Sequence, residues 1–170
     1  LSLHDALPIL FADASEVAIA ASAYLRQVTN NTQCEVSFLI GKSKLAPVDA
    51  ATIPLLELCA AVLAVELLEL IQEEVDIDID SVTLYSDSKV VMGYMQNKTR
   101  RFYTYVSNRI ARIRQSTEPM QWRYKHTNLN PADVGTRPVA TSDLGNTSWL
   151  TGPKFLQNQR EHMCETRAYV

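Results

Sequence analysis

The sequence has few of the residues that build disulfide frameworks or zinc clusters. Its three cysteines, Cys34, Cys59 and Cys164, form no CxxC pair, and no Cys and His spacing suits zinc. Cys34 and Cys59 lie in or beside apolar runs, which is typical of reduced core thiols in a cytosolic protein. The composition therefore predicts neither a secreted disulfide scaffold nor a structural zinc site.

The sequence also lacks a membrane span and a secretory leader. The longest apolar stretch, 55–70, contains Glu57, Glu66 and Glu69 and is shorter than the roughly 20 apolar residues that a span requires. The opening segment, Leu1–Ile9, has no basic region. It reads LSLHDALPI, which looks like the translation of a sequencing adapter. We therefore predict a non-native leader at 1–9 and a protein that is neither secreted nor membrane-bound.

The net charge is only −3, but the charges are unevenly distributed. Range 57–80 holds eight acidic residues and no Lys or Arg, whereas range 98–114 holds six basic residues and no acidic one. Local charge governs docking more than the total does. One acidic face and one basic face are therefore expected.

The hydrophobic patterns predict a mixed α/β sheet with helices on its faces, in a domain spanning 10–140. The segment 141–170 is predicted to be a linker toward a downstream domain. Pro54 suits the first turn of a long helix, and Asn130 with Pro131 starts a short one. The predicted strands end at Ala12 and Leu25 and span 36–40, 82–85 and 122–124; the predicted helices span 52–74, 88–95, 102–113 and a turn from 130.

Four acidic residues lie where elements begin or end. Asp13 follows a strand, Glu57 lies on an apolar helix turn, Asp87 ends a strand and Asp133 opens a helix. Phosphodiester hydrolysis requires an activated water and relief of charge on the leaving oxygen, and two Mg²⁺ ions roughly 4 Å apart supply both. Converging carboxylates are ligands that Mg²⁺ prefers. The four residues together therefore favour a metal site.

Each acid also has a structural interpretation when it is taken alone. Asp13 suits a turn, Asp87 suits a helix cap, and Asp133 suits the positive end of a helix dipole. Glu57 is harder to explain in this way, because its neighbours are apolar and no basic residue lies within a turn. A bound metal would resolve that conflict.

The basic segment supplies candidates for contact with a nucleic-acid backbone. Such contacts hold a duplex without reading its sequence. These basic residues also have an explanation without a nucleic acid. The arginines suit the solvated face of an amphipathic helix, and Lys89 suits an ordinary exposed lysine. The candidates are Arg100, Arg101, Tyr103, Arg109, Arg112 and Lys89, with Tyr105 and Arg114 beside them.

Four ordered blocks resemble the ribonuclease H-like domain of BEL/Pao LTR-retrotransposon polyproteins. They read FADASEVAIAASAYL, KSKLAPVDAATIPLLELCAAVLAVEL, LYSDSKVVMGYMQNKTRRFYTYVSNRIARIR and WRYKHTNLNPADVGTRP. The closing SWLTGPKFL is similar to the segment that follows this domain in the same family. The resemblance covers about 10–156, nearly the whole chain.

The resemblance implies a ribonuclease H-like fold with a five-stranded mixed sheet in the order 3-2-1-4-5. It implies a two-metal endonuclease that cuts the RNA strand of RNA–DNA hybrids during reverse transcription, in a cytoplasmic virus-like particle. Asp13, Glu57, Asp87 and Asp133 would bind Mg²⁺ or Mn²⁺, and reverse transcriptase and integrase regions would flank the domain. His126 precedes Asp133 and is an auxiliary candidate, although its place right after a strand also suits a strand-end histidine near substrate.

Three alternative functions fit the sequence less well. A catalytically silent domain that only binds nucleic acid would keep the fold, but all four acids are present. An integrase core expects a helical Glu after its second Asp, and Glu118 is followed by Pro119, which disfavours a helix. An aspartic protease is disfavoured because Asp13-Ala14-Ser15 lacks the glycine of the catalytic turn.

Overall fold

The computed structural model describes residues 6–29, 33–50, 52–76, 79 and 81–158. Cys164, the first five residues of the predicted leader and 159–170 of the predicted linker lie outside this part of the chain. The strands are β1 (Ala6–Ala14), β2 (Ala18–Thr29), β3 (Gln33–Leu45), β4 (Thr83–Ser86) and β5 (Trp122–Tyr124).

The five strands form one sheet in the order β3-β2-β1-β4-β5. The first three pair antiparallel, and β4 runs parallel to both β1 and β5. This confirms the predicted mixed sheet and its order. β3 is longer than the predicted 36–40 because the pairing with β2 continues through polar residues. Its exposed Lys42 and Lys44 are typical of a strand at a sheet edge.

β1 starts earlier than the sequence patterns indicate. Ala6 to Ile9 pair with β2 opposite Gln27 to Tyr24, and Ile9 is fully buried. Part of the predicted leader is therefore built into the central sheet, where its apolar side chains are buried or half-buried. That residues 1–9 are non-native stays a prediction.

Helices cover both faces of the sheet. α1 (Ile53–Glu74), α2 (Lys89–Gln96) and α3 (Thr104–Ser116) pack on one face over alternate strand residues such as Leu10 and Leu84. Phe11, Tyr24 and Tyr85 point to the other face. That face carries α4 (Ala132–Gly135) and α6 (Ser148–Thr151), while α5 (Thr141–Leu144) is exposed. Among the described residues, no helix combines the length and apolar character needed to cross a membrane.

Part of the predicted linker at 141–170 packs against the sheet, and its role as a linker toward a downstream domain stays a prediction. Phe155 and Leu156 are buried in the same cluster as Phe11 and Tyr85. The Tyr24 hydroxyl bonds the carbonyl oxygen of Trp149 at 2.7 Å. Residues 148–157 therefore fold back onto the sheet. The segment is too short and irregular to show a hydrophobic period, so the sequence alone did not reveal its packing.

Candidate metal centre

Three acidic side chains converge at one edge of the sheet. Asp13 lies near the end of β1, Asp87 directly follows β4, and Glu57 lies near the start of α1. One carboxylate oxygen from each lies within 4.8 Å of the others. β1 and β4 are parallel neighbours, so the residues that end them are brought to the same edge. Three of the four predicted acids therefore form one cluster.

Burial and mutual repulsion disfavour the charged forms of this cluster. The exposed fraction is 3% for Asp13 and 7% for Glu57. The pKa of Glu57 is raised to about 9, first by burial and then by the charges of Asp87 and Asp13. The pKa of Asp13 is raised to about 7 by burial and by Asp87. These carboxylates are therefore costly to ionise unless a positive charge joins them.

The cluster also contains oxygen atoms that lack hydrogen-bond partners. Among the described residues, Glu57 Oε2 and Asp87 Oδ1 are buried and accept no hydrogen bond. Buried carboxylate oxygens without a donor are rare because their desolvation is not compensated. A hard divalent cation takes such oxygens as ligands and neutralises the repulsion between them. The donor set therefore fits Mg²⁺ or Mn²⁺.

Hydrogen bonds from nearby side chains orient the carboxylates. The one hydroxyl proton of Thr136 has two acceptors, Asp13 Oδ2 at 3.1 Å and the carbonyl oxygen of Asp133 at 2.9 Å. Thr127 Oγ1 donates to Asp87 Oδ2 at 2.5 Å. Asn130 Nδ2 donates to the carbonyl oxygen of Ala12 at 2.9 Å and ties this loop to β1. Sequence reasoning missed both threonines, although they lie in the block that carries Asp133.

Asp133, the fourth predicted ligand, lies outside the group of three oxygens. Its Oδ1 accepts from Arg137 Nε at 3.1 Å and from Arg137 Nη2 at 2.9 Å. Its charge still contributes to the raised pKa of Asp13, so it is close to the cluster. The structure therefore places Asp133 beside the cluster in an ion pair, and its role as a metal ligand stays a prediction.

The structure separates the predicted nucleic-acid contacts into two groups. Arg112 makes a bidentate pair with Glu69, with N···O distances of 2.7 and 2.6 Å. The Arg109 guanidinium lies 3.3 Å from the centre of the Tyr105 ring, and its Nε donates to Cys59 Sγ. These two arginines therefore have partners within the protein, which weakens the prediction that they contact substrate.

The other predicted contacts are exposed. Arg100 and Arg101 lie in the loop between α2 and α3, and Tyr103 beside them is 90% exposed. Asn97 Oδ1 accepts from the backbone N–H of Arg100 at 2.9 Å, which shapes the loop. Lys89 Nζ lies 5.4 Å from the centre of the Tyr124 ring. We call Lys98, Arg100, Arg101 and Tyr103 the basic loop.

His126 lies on the connection between β5 and α4 and is exposed. Its Nδ1 accepts from the backbone N–H of Asn128 at 3.2 Å, so Nε2 carries the proton in the neutral form. The next residue, Thr127, donates to Asp87. The auxiliary candidate is therefore next in sequence to a residue that contacts the cluster.

The metal-free protein is expected to lose stability as the pH rises from about 4 to about 9. The folded-state pKa values of Asp13, about 7, and Glu57, about 9, exceed the ordinary values of 3.8 and 4.5. The folded state therefore binds more protons than the unfolded state in this range, so the free energy of unfolding falls with rising pH. Urea unfolding with a chelator present measures this slope. A free energy of unfolding that rises over this range would contradict the account.

Comparisons with known proteins agree with the resemblance seen in the sequence. Residues 5–88 match the family described as the Pao retrotransposon-like RNaseH-like domain. This range starts ahead of the predicted boundary at Leu10 and contains Asp13, Glu57 and Asp87 but not Asp133. A comparison with curated proteins gives no match.

Solved structures with a similar fold include the N-terminal RNase H domain of a Mycobacterium tuberculosis protein, fused to maltose-binding protein. It is 12% identical, covers 78% of this chain and 94% of its own, and has a TM-score of 0.52. RNase H1 of Halobacterium salinarum is 15% identical, and the match covers 84% of this chain and 99% of that protein, with a TM-score of 0.43. The foamy viral protease-reverse transcriptase in complex with an RNA/DNA hybrid is 12% identical. The match covers 87% of this chain and 20% of that protein, with a TM-score of 0.45.

The family match and the fold point to the same conclusion. The match spans β1 to β4 and contains the three clustered acids. The strand order and the M. tuberculosis RNase H domain independently support the fold. Residues 5–88 of this chain therefore match the Pao retrotransposon-like RNaseH-like domain family, and the chain has the ribonuclease H fold.

Proposed function

We propose that this chain is a metal-dependent endonuclease that hydrolyses the RNA strand of RNA–DNA hybrids during retroelement reverse transcription. The observation that carries the proposal is the cluster of Asp13, Glu57 and Asp87, with two buried oxygens that accept no hydrogen bond among the described residues. Three acidic side chains this close together repel one another, and the repulsion destabilises the folded chain unless a cation binds. A purely structural role therefore does not explain the cluster.

Asp13, Glu57, Asp87 and Asp133 are the residues that would hold the divalent cations. Bound divalent cations supply an activated water and neutralise charge on the leaving oxygen. Thr136 and Thr127 hold Asp13 and Asp87 through hydrogen bonds, so these carboxylates keep their orientation before a cation arrives.

The basic loop is proposed to hold the substrate. Its cations are not drawn into ion pairs among the described residues, and Tyr103 offers an exposed ring beside them. Contacts with phosphates position a duplex irrespective of sequence, as a nuclease acting on many hybrids requires. The hybrid differs from DNA in its shape and in the 2′-hydroxyls along its minor groove.

The family assignment supports a retroelement context for this activity. We propose that reverse transcriptase lies upstream and integrase downstream in the same polyprotein, and that the domain acts in a cytoplasmic virus-like particle. A hybrid-specific nuclease suits this place because reverse transcription leaves RNA paired to new DNA.

The test is cleavage of a labelled RNA–DNA hybrid by the purified chain with Mg²⁺. Asp87→Asn removes one cluster charge, and Glu73→Gln on the exposed end of α1 is the matched control. We expect the chain and the control to cut the RNA strand, and Asp87→Asn or added chelator to stop the cutting. Duplex DNA of the same sequence should stay intact. A folded chain that leaves the hybrid uncut would favour the silent nucleic-acid-binding domain instead.

A further inference from the structure

We propose that Trp149 is a positioning residue for the carboxylate site. Its indole ring fixes the place of α4, which carries Asp133 and leads directly to Thr136. The inference rests on the proposed function, because it assigns a role toward that same site. It concerns the SWLTGPKFL segment, to which the proposed mechanism gives no part.

The indole ring occupies space that two glycines leave open. A Cβ atom on Gly135 would lie 2.3 Å from Trp149 Cζ3, and a Cβ atom on Gly41 would lie 2.3 Å from Trp149 Cζ2. Neither glycine has a positive φ, so backbone conformation does not explain them. The close approach of the indole ring explains why a residue without a Cβ atom stands at each position. The ring is therefore fitted between β3 and α4.

The rest of the closing segment holds Trp149 in this position. The Tyr24 hydroxyl bonds the Trp149 carbonyl oxygen at 2.7 Å. After the turn at Gly152, which has a φ of 75°, Phe155 and Leu156 enter the buried cluster. Buried Arg26 donates from Nε to the carbonyl oxygen of Leu156 at 2.8 Å. Trp149 is thus anchored to the sheet through its own carbonyl oxygen and through the residues that follow α6.

A short path leads from Gly135 to the carboxylates. The Gly135 carbonyl oxygen accepts from Ser43 Oγ at 2.6 Å, which ties α4 to β3. Asp133 lies two residues before Gly135, and Thr136 follows it and donates to Asp13 Oδ2. Ser15 Oγ donates to the Thr136 carbonyl oxygen at 3.1 Å. A shift of Gly135 would therefore move both Asp133 and the donor that orients Asp13.

The experiment compares hydrogen exchange across the full chain without metal. Trp149→Ala removes the ring, and Leu150→Ala on the exposed side of the same helix is its control. Gly135→Ala introduces the clash from the other side, and Gly145→Ala is its control because nothing lies within 4 Å of a Cβ there. The readouts are exchange in 130–137, exchange in the middle of α1, and the Kd for Mn²⁺.

We expect Trp149→Ala and Gly135→Ala to speed exchange in 130–137 by about tenfold or more while exchange in α1 stays as in the parent chain. The Kd for Mn²⁺ should rise by about tenfold, within the range seen when residues that support metal ligands are lost. Trp149→Phe keeps an aromatic ring, so it should restore part of the slow exchange in 130–137 and part of the affinity for Mn²⁺. Gly135→Ala should add less to Trp149→Ala than it does to the parent chain, because the clash with the indole is gone and only the 2.8 Å approach to Ala20 Cβ remains.

Two results would overturn the proposal. In the first, Trp149→Ala and Gly135→Ala show the same exchange rates and the same affinity for Mn²⁺ as their control variants. The other is uniform acceleration over α1 and α4, which would make Trp149 an ordinary core residue. Failure of the proposed function looks different, because the parent chain would then neither bind Mn²⁺ nor cut the hybrid. The exchange comparison needs no metal and still decides the inference in that case.

Discussion

Glu57→Gln is expected to stabilise the metal-free chain and, at the same time, to reduce hybrid cleavage by about 10³-fold or more. The side chain is 7% exposed and its pKa is raised to about 9. At neutral pH it therefore costs free energy in the absence of a cation. The folded chain holds this carboxyl group protonated at neutral pH, whereas the unfolded chain leaves it ionised, and this difference disfavours folding. Gln is neutral in both states and similar in size, so the free energy of unfolding should rise by on the order of 2 kcal/mol.

Two measurements on the same samples check this pair of effects. Urea unfolding with a chelator gives the change in stability, and the initial rate on a labelled hybrid with Mg²⁺ gives the change in activity. Glu73→Gln is the control, since that carboxylate is exposed at the end of α1 and should change neither quantity. If the Glu57→Gln variant is less stable than the parent and still cuts, Glu57 is a structural residue only.

Neutralising the basic loop is expected to weaken hybrid binding by about 10- to 100-fold at low salt. The triple variant Lys98→Gln, Arg100→Gln, Arg101→Gln removes three exposed cations. If each contacts a phosphate, the slope of log K against log salt should become less steep by roughly 3. Stability should change little, because these side chains are exposed. Fluorescence anisotropy with a labelled hybrid at several salt concentrations measures both quantities.

Arg112→Gln is the contrasting variant, because it removes a cation that the protein already uses. Its bidentate pair with Glu69 lowers the pKa of that carboxyl group and joins α3 to α1. Breaking a pair that is about a third exposed should cost roughly 0.5–1 kcal/mol of stability and leave the salt slope unchanged. A slope less steep by about 1, the share expected for each cation of the triple variant, would contradict the division of the arginines into two groups.

Much of the fold was predictable because its signals are local. Buried strands such as 82–85 show apolar runs, and Ser88 marks the start of α2, where its hydroxyl accepts from the backbone N–H of Val91. Glu57 pointed to the site because an unpaired carboxylate on an apolar helix turn is costly. These signals predicted a mixed sheet and four candidate acids, of which three cluster, whereas the strand order was implied by the family resemblance.

The remaining features depend on contacts between residues distant in the chain. The pair of Arg112 with Glu69 and the packing of Trp149 against Gly135 join elements that no periodicity relates. The Asp133–Arg137 pair is different, because its two residues are only four positions apart in the chain. The length of β3 is a further long-range feature, because it is set by pairing with β2 and is not visible in residue type alone.

The central claim is that the Asp13, Glu57 and Asp87 cluster is a divalent-cation site. Its most direct test is calorimetric titration of Mg²⁺ into the metal-free chain at slightly alkaline pH, in buffers of different ionisation enthalpy. The account predicts saturable binding with release of protons, because raised-pKa carboxyl groups must ionise to become ligands. Glu57→Gln and Asp87→Asn should weaken or abolish that binding. A folded parent chain that gives only heats of dilution would contradict the account.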